Sequence, residues 1–269
     1  MKKKKILVGL IVVILVIISI VVFYKTLAFE QDKQDTGEPK LVYPSITDEY
    51  IASIYGLILK EDVFGRTSMY SENYTRVDNL SQDVALSMVY NYINNNNYFK
   101  LKILTLDELK KNVLKSYDNI KNFTPLYKIS LEDFNSSAAV VFGKEAKIPQ
   151  ADFSINLTTY AYFNKDKKEY YIYKKENDEK VKSMEAKRLD SYVVTNNGNT
   201  IIIFDNYLLC DLETSLCYND AKKTKLNASI KLVNGKVNLS ENVDKLIKYK
   251  HIFKFEEGHY FWYSSEIIS

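Results

Sequence analysis

Residues 6–23, ILVGLIVVILVIISIVVF, carry no charge and follow four consecutive lysines, Lys2 to Lys5. At roughly 1.5 Å of rise per residue, a helix of this length comes close to spanning a hydrocarbon core of about 30 Å. A helix is the only way a single segment can satisfy its backbone polar groups in lipid. The lysines are expected to stay in the cytoplasm and the C-terminal bulk to lie outside, with Tyr24 at the far interface. A cleaved signal peptide is the competing reading. Its apolar stretch usually runs about 7–15 residues and ends at a small-residue site. Here the run is longer, and Tyr24, Lys25, Thr26, Leu27 and Ala28 make a poor match to such a site. The expected organisation is a lysine cluster at 1–5, a transmembrane helix at 6–24, a polar linker at 25–44 and an extracytoplasmic domain at 45–269.

This topology also accounts for the charge. The chain has 37 basic and 34 acidic residues, a net charge of +3. Setting aside Lys2 to Lys5 leaves 33 bases against the same 34 acids. No basic excess then remains for a nucleic-acid partner, which would need one concentrated on a face. Arginine is scarce, with only Arg66, Arg76 and Arg188, whereas the chain has 22 tyrosines. The two cysteines, Cys210 and Cys217, are separated by six residues. Outside the membrane a local disulfide is expected of them. A redox pair would more often be C-x2-C, and both histidines lie more than thirty residues downstream of Cys217, so no metal site is expected.

The periodicity predicts helices first and hairpins after. One helix follows Ser45 or Thr47, with Ile51, Ile54, Tyr55 and Ile58 on a face. A second starts near Ser81, with Ala85, Met88, Val89, Tyr92 and Ile93 in register. A third starts at Thr105, where Thr105 and Glu108 form a capping box ahead of Leu106, Leu109, Val113, Leu114 and Tyr117. From about residue 126 the period becomes two. Hairpins are expected around residues 164–167, around Asn196-Asn197-Gly198, around Asn234-Gly235 and at Glu256–Gly258, with a short helix after Ser240. The expected fold class is α+β, about three helices packed with an antiparallel, hairpin-rich sheet. The pattern admits one domain or two, with a boundary near 121–126.

No phosphate-binding glycine loop, nucleophile elbow or H-E-x-x-H motif is present, and no cofactor is implied. His251 and His259 are the only histidines. Both fall on the last hairpin, where they read as surface strand residues. Acidic pairs such as Asp48/Glu49, Glu61/Asp62 and Glu176/Asp178 read as solvated loops and helix starts. The aromatic strands are the remaining candidate. Alternation puts Tyr260 and Trp262 on one face of the last strand and Phe261 and Tyr263 on the other, and it sets Tyr160 and Tyr162 together on an earlier strand. Tyr260, Trp262, Tyr160 and Tyr162 form the candidate binding strip, suited to stacking on sugar rings or gripping an extended peptide.

The lysine-then-apolar N-terminus, NLSQDVALSMVYNYI, TLDELKKNVLKSYDNI and YKHIFKFEEGHYFWYSSE together resemble a class of single-pass anchored extracytoplasmic proteins of low-GC Gram-positive bacteria. The resemblance covers most of the chain but rests on packing patterns. It implies the topology above and assigns no activity or site residue. The expected function is therefore a non-enzymatic envelope binding or accessory protein, its partner a protein, a peptide or a wall polymer. The alternatives are an envelope hydrolase using paired carboxylates and a transmembrane regulatory subunit.

Overall fold

A computed structural model describes residues 44–58, 68–114, 122–176, 181–233, 236, 237, 239 and 241–268. The lysine cluster, the apolar run, the linker through residue 43, Glu61, Asp62, Tyr117, Asp178 and the Asn234-Gly235 turn lie outside these residues. Among the described residues no helix is long and apolar enough to cross a membrane. Tyr43–Ser269 forms one compact unit.

The unit is α+β with antiparallel sheets and four α-helices among the described residues. Helix α1 (Asp48–Gly56) starts where the Thr47 hydroxyl accepts the Tyr50 N–H, and it buries Ile51, Ile54 and Tyr55. Helix α2 (Gln82–Asn96) is buried on most sides, from Val84 through Tyr90 and at Ile93. Helix α3 (Leu106–Asn112) carries the expected capping box of Thr105 and Glu108. Helix α4 (Leu131–Phe142) interrupts the stretch from about residue 126 where the pattern predicts strands. Its signals are local: the Ser130 hydroxyl accepts the Asp133 N–H, Glu132 and Asp133 sit in the first turn, and Gly143 ends the helix.

The strands, in chain order, are β1 (Tyr74–Thr75), β2 (Lys102–Ile103), β3 (Phe123–Ser130), β4 (Phe153–Ser154), β5 (Thr159–Asn164) and β6 (Glu169–Lys175). They continue as β7 (Ser183–Thr195), β8 (Thr200–Asp211), β9 (Leu216–Tyr218), β10 (Leu226–Lys231), β11 (Lys248–Glu256) and β12 (His259–Ile268). One sheet runs β1-β12-β11-β8-β9-β10, with β7 also on β8; the other runs β2-β3-β6-β5-β4. The short helix expected after Ser240 is only a 3-10 turn, Val243–Lys245.

The turns follow their chemistry. Between β7 and β8, Asn197 and Gly198 both take positive φ. Between β11 and β12, Glu257 and Gly258 do the same, which closes a two-residue hairpin with Glu256 opposite His259. Strand β8 is the central, almost continuously buried strand, TIIIFDNYLLCD, held between β7 and β11 over its first half.

Helix α4 contacts β12 of one sheet and β3 of the other. A single hydrophobic core accordingly includes Ile51, Val84, Phe134, Tyr170, Ile203 and Trp262, residues from both sides of the 121–126 region. A smaller cluster, Leu104, Leu109, Leu114, Phe123 and Tyr171, lies where α3 covers the second sheet, and Tyr162 and Tyr173 pack against it. Cys210 and Cys217 sit opposite one another on β8 and β9 and are disulfide-bonded, both fully buried.

Candidate functional site

Two groupings of polar side chains stand out, one sealed in the core and one open. The sealed one centres on Asp205 of β8, which is fully buried. Its Oδ2 accepts hydrogen bonds from the hydroxyls of Tyr55 and Tyr70, each at 2.6 Å, and its Oδ1 lies 2.9 Å from His251 Nε2. A carboxylate oxygen only accepts, so Nε2 carries the donated proton. His251 Nδ1 lies 2.6 Å from Ser265 Oγ, which also accepts from Trp262 Nε1 at 2.9 Å. Tyr70 stacks on Tyr207, with centroids 4.2 Å apart, and the Tyr207 hydroxyl donates to Glu185. Glu185 in turn pairs with Lys187 at 3.0 Å.

Burial works against the ionised form of Asp205. His251 and the two tyrosine hydroxyls outweigh it and hold the carboxyl below the ordinary range. The hydroxyls respond in the opposite sense. Burial first, then the Asp205 charge, pushes Tyr55 and Tyr70 well above the usual phenol range. The surface position expected for His251 is therefore wrong. Its strand places it on the inward face, opposite Ile203 and Ser265, and burial is tolerated because both ring nitrogens have partners.

Serine, histidine and aspartate in hydrogen-bond succession is the grouping that nucleophilic hydrolases use. Here Ser265, His251 and Asp205 each have 0% exposure, and the Ser265 oxygen is engaged by Trp262. At this burial the serine oxygen is closed to solvent, and the network ties β8, β11 and β12 to Tyr55 and Tyr70. Among the described residues no group of three or more metal-ligating side chains converges.

The open grouping lies on the outer face of the β11–β12 hairpin. Tyr263 stands on β12, the strand between β1 and β11. Each neighbour supplies a cation to its ring. Arg76, the residue after β1, lies 4.6 Å from the ring centroid, and Lys254 of β11 lies 3.3 Å from it. Beside them is a cleft of about 500 Å³, bounded by residues 142–147 at the C-terminal end of α4 and by residues 76–78. Phe261 and Phe142 contribute its apolar wall. Gly143 closes one end at φ +82°, where an added Cβ would sit 2.9 Å from the Phe261 ring. The Lys144 N–H donates to Glu256, and the Lys144 ammonium pairs with Glu257. A second hollow, of about 750 Å³ beside β10, has no aromatic ring among the described residues that line it.

The expected aromatic strip is not one surface. Tyr260 and Trp262 are 2% and 1% exposed, facing the core. Trp262 packs against Phe142 and Tyr260 against Phe255. The outward pair is the other parity, Phe261 and Tyr263. Tyr160 and Tyr162 are half-buried on the second sheet. There Tyr160 stacks on Tyr173 and bonds the Leu157 carbonyl, while Tyr162 packs over the α3 cluster. The correct parity had a sequence signal. Lys248, Lys250 and Lys254 mark the wet face of β11, and Lys254 pairs with Phe261. His259 is half-buried at the hairpin tip. Of the acidic pairs, Asp48 and Glu49 occupy the first turn of α1, and Asp48 accepts from the Tyr192 hydroxyl. No family model, curated protein or solved structure matches this chain.

Proposed function

We propose that this chain is a membrane-tethered extracytoplasmic binding protein that presents the Tyr263 cleft to a component of the cell envelope. The observation that carries this reading is the convergence of Arg76 and Lys254 on Tyr263 at the mouth of a cleft of about 500 Å³. Among the described residues neither cation has a carboxylate within ion-pair range. An aromatic ring on an outer sheet face, flanked by cations with unused donor capacity, suits recognition of an external group. The tether is read from residues 2–23, and the Cys210–Cys217 bridge is in keeping with an oxidising compartment. The sealing of His251 and Asp205 inside the core favours binding over hydrolysis.

The test compares capture of purified cell-envelope fragments by the full-length chain and by Tyr263→Ala. Tyr263 lies on the outer face, so its truncation leaves the core packing in place. Loss of capture with an unchanged circular dichroism spectrum is expected. Equal capture by the variant, or proximity labelling from the domain that enriched only cytoplasmic proteins, would overturn the proposal.

A further inference from the structure

Arg76 is one of only three arginines in the chain. Its Nε is buried without a hydrogen-bond acceptor, while its backbone N–H is held by Asn79. The Nε is closed to solvent, but Arg76 as a whole is half-buried and lines the cleft, and an arginine fork matches the two oxygens of a carboxylate or a phosphate. Lys254 reaches the same ring from the opposite neighbouring strand.

The cleft as a whole is lined by four bases and three acids, with Asp78, Glu145 and Glu256 opposing the cations. A run of phosphates would meet those acids, whereas a single negative charge would not need to. Phe261 and Phe142 offer an apolar wall beside the cations. The backbone after Gly143 is neither helix nor strand; its Lys144 and Ala146 N–H groups are taken by Glu256 and the Gly143 carbonyl, so a ligand here is held by side chains. From this arrangement we infer that the cleft binds a peptide through one carboxylate, seated on Arg76 and Lys254, with an apolar side chain against Phe261. This rests on the reading of the cleft as a ligand seat. The carboxylate can come from a chain terminus or from an acidic side chain.

Trp262 is the only tryptophan and borders the cleft from the inner side, so its emission reports occupancy. The full-length chain in detergent is titrated with four probes: acetyl-Ala-Ala, its C-terminal amide, acetyl-Glu-Ala-amide and inorganic phosphate. A saturable emission change is expected with acetyl-Ala-Ala if the terminal carboxylate is the anchor, or with acetyl-Glu-Ala-amide if a side chain is. The neutral amide should give none. Arg76→Gln should weaken binding about tenfold or more, as loss of a charge-assisted bidentate pair does, with Arg76→Lys in between. Circular dichroism of each variant reports that it is folded. Equal binding of acid and neutral amide, an unchanged affinity in folded Arg76→Gln, or tighter binding of phosphate than of either acid would overturn the inference. If no peptide binds while envelope capture still depends on Tyr263, the carboxylate inference fails and the binding reading stands. If capture is independent of Tyr263, the binding reading fails as well.

Discussion

Replacing Asp205 by alanine should unfold a large part of this protein's stability margin, and the structure says why. The carboxylate accepts three hydrogen bonds in a site with no exposure, from Tyr55, Tyr70 and His251. Asp205→Ala leaves three buried donors without an acceptor, each costing about 1–3 kcal/mol. Relaxation and water entry recover part of this, so the expected loss is about 3–5 kcal/mol, the range for breaking a buried ionic group. Against a typical stability of about 5–15 kcal/mol, that is a substantial fraction.

Asp205→Asn separates charge from hydrogen-bond satisfaction. The amide oxygen can still accept from His251 Nε2, and its NH2 can donate to the tyrosine oxygens, but the two tyrosine O–H hydrogens lose their acceptor, so the loss should be about 2–3 kcal/mol, short of the alanine variant's. The pH dependence has a definite sign. The folded carboxyl titrates below its ordinary value. Its contribution is therefore present above about pH 4, the unfolded carboxylate range, and is lost as pH falls through the lower folded value. The gap between wild type and Asp205→Asn should narrow under acid conditions. Urea unfolding followed by Trp262 fluorescence measures all three quantities. An Asp205→Ala variant within about 1 kcal/mol of wild type, or an Asn variant as unstable as the Ala variant, would refute the donor-count reasoning.

Four further outcomes are expected. Cys210→Ser with Cys217→Ser should lower stability by about 2.5 kcal/mol, the loop-closure value for a loop this short; thiol labelling of intact cells only after reduction would report both the bridge and its extracytoplasmic side. Gly143→Ala should lose about 1–3 kcal/mol, because the position needs positive φ and the new Cβ meets Phe261; calorimetry checks this, and a neutral effect would mean that the cleft wall yields. Thr105→Ala should cost about 1 kcal/mol through the lost cap of α3. Glu108→Gln should cost no more than about 1 kcal/mol although Lys128 and the cap pull its carboxyl down to about 2, since the pair is solvent-screened. Paired urea curves decide that comparison.

Much of the architecture was legible in residues close together in the chain. The Thr105–Glu108 capping box, the positive-φ turns at Asn197-Gly198 and Glu257-Gly258, and the facing of Glu256 and His259 all come from local chemistry. So does the antiparallel pairing of successive strands. Helix α4 was hidden because LEDFNSSAAVVF, lying between two strands, has small and β-branched residues that suit either period. Only its Ser130 cap and Gly143 stop marked it.

The candidate site was barely legible, and the reason is geometric. Alternation within β12 alone gives two aromatic faces, Tyr260/Trp262 and Phe261/Tyr263, and only the lysines of β11 across the hairpin mark the wet one. Which of them turns inward follows from Phe255, opposite Tyr260 across the hairpin, and from Phe142 of α4, a partner of Trp262 that sequence distance conceals. Likewise, nothing beside His251 in the chain announces Asp205, 46 residues earlier, or Tyr70, 135 residues before Asp205. What the sequence determined by itself is the uncharged run after the lysines and the local grammar of helices, turns and cysteines, because those depend on neighbours in the chain. What the tertiary structure decided is burial. It buried His251 against Asp205, turned Trp262 inward, and set Arg76 and Lys254 on either side of Tyr263, because a side chain's exposure is fixed by what packs on it.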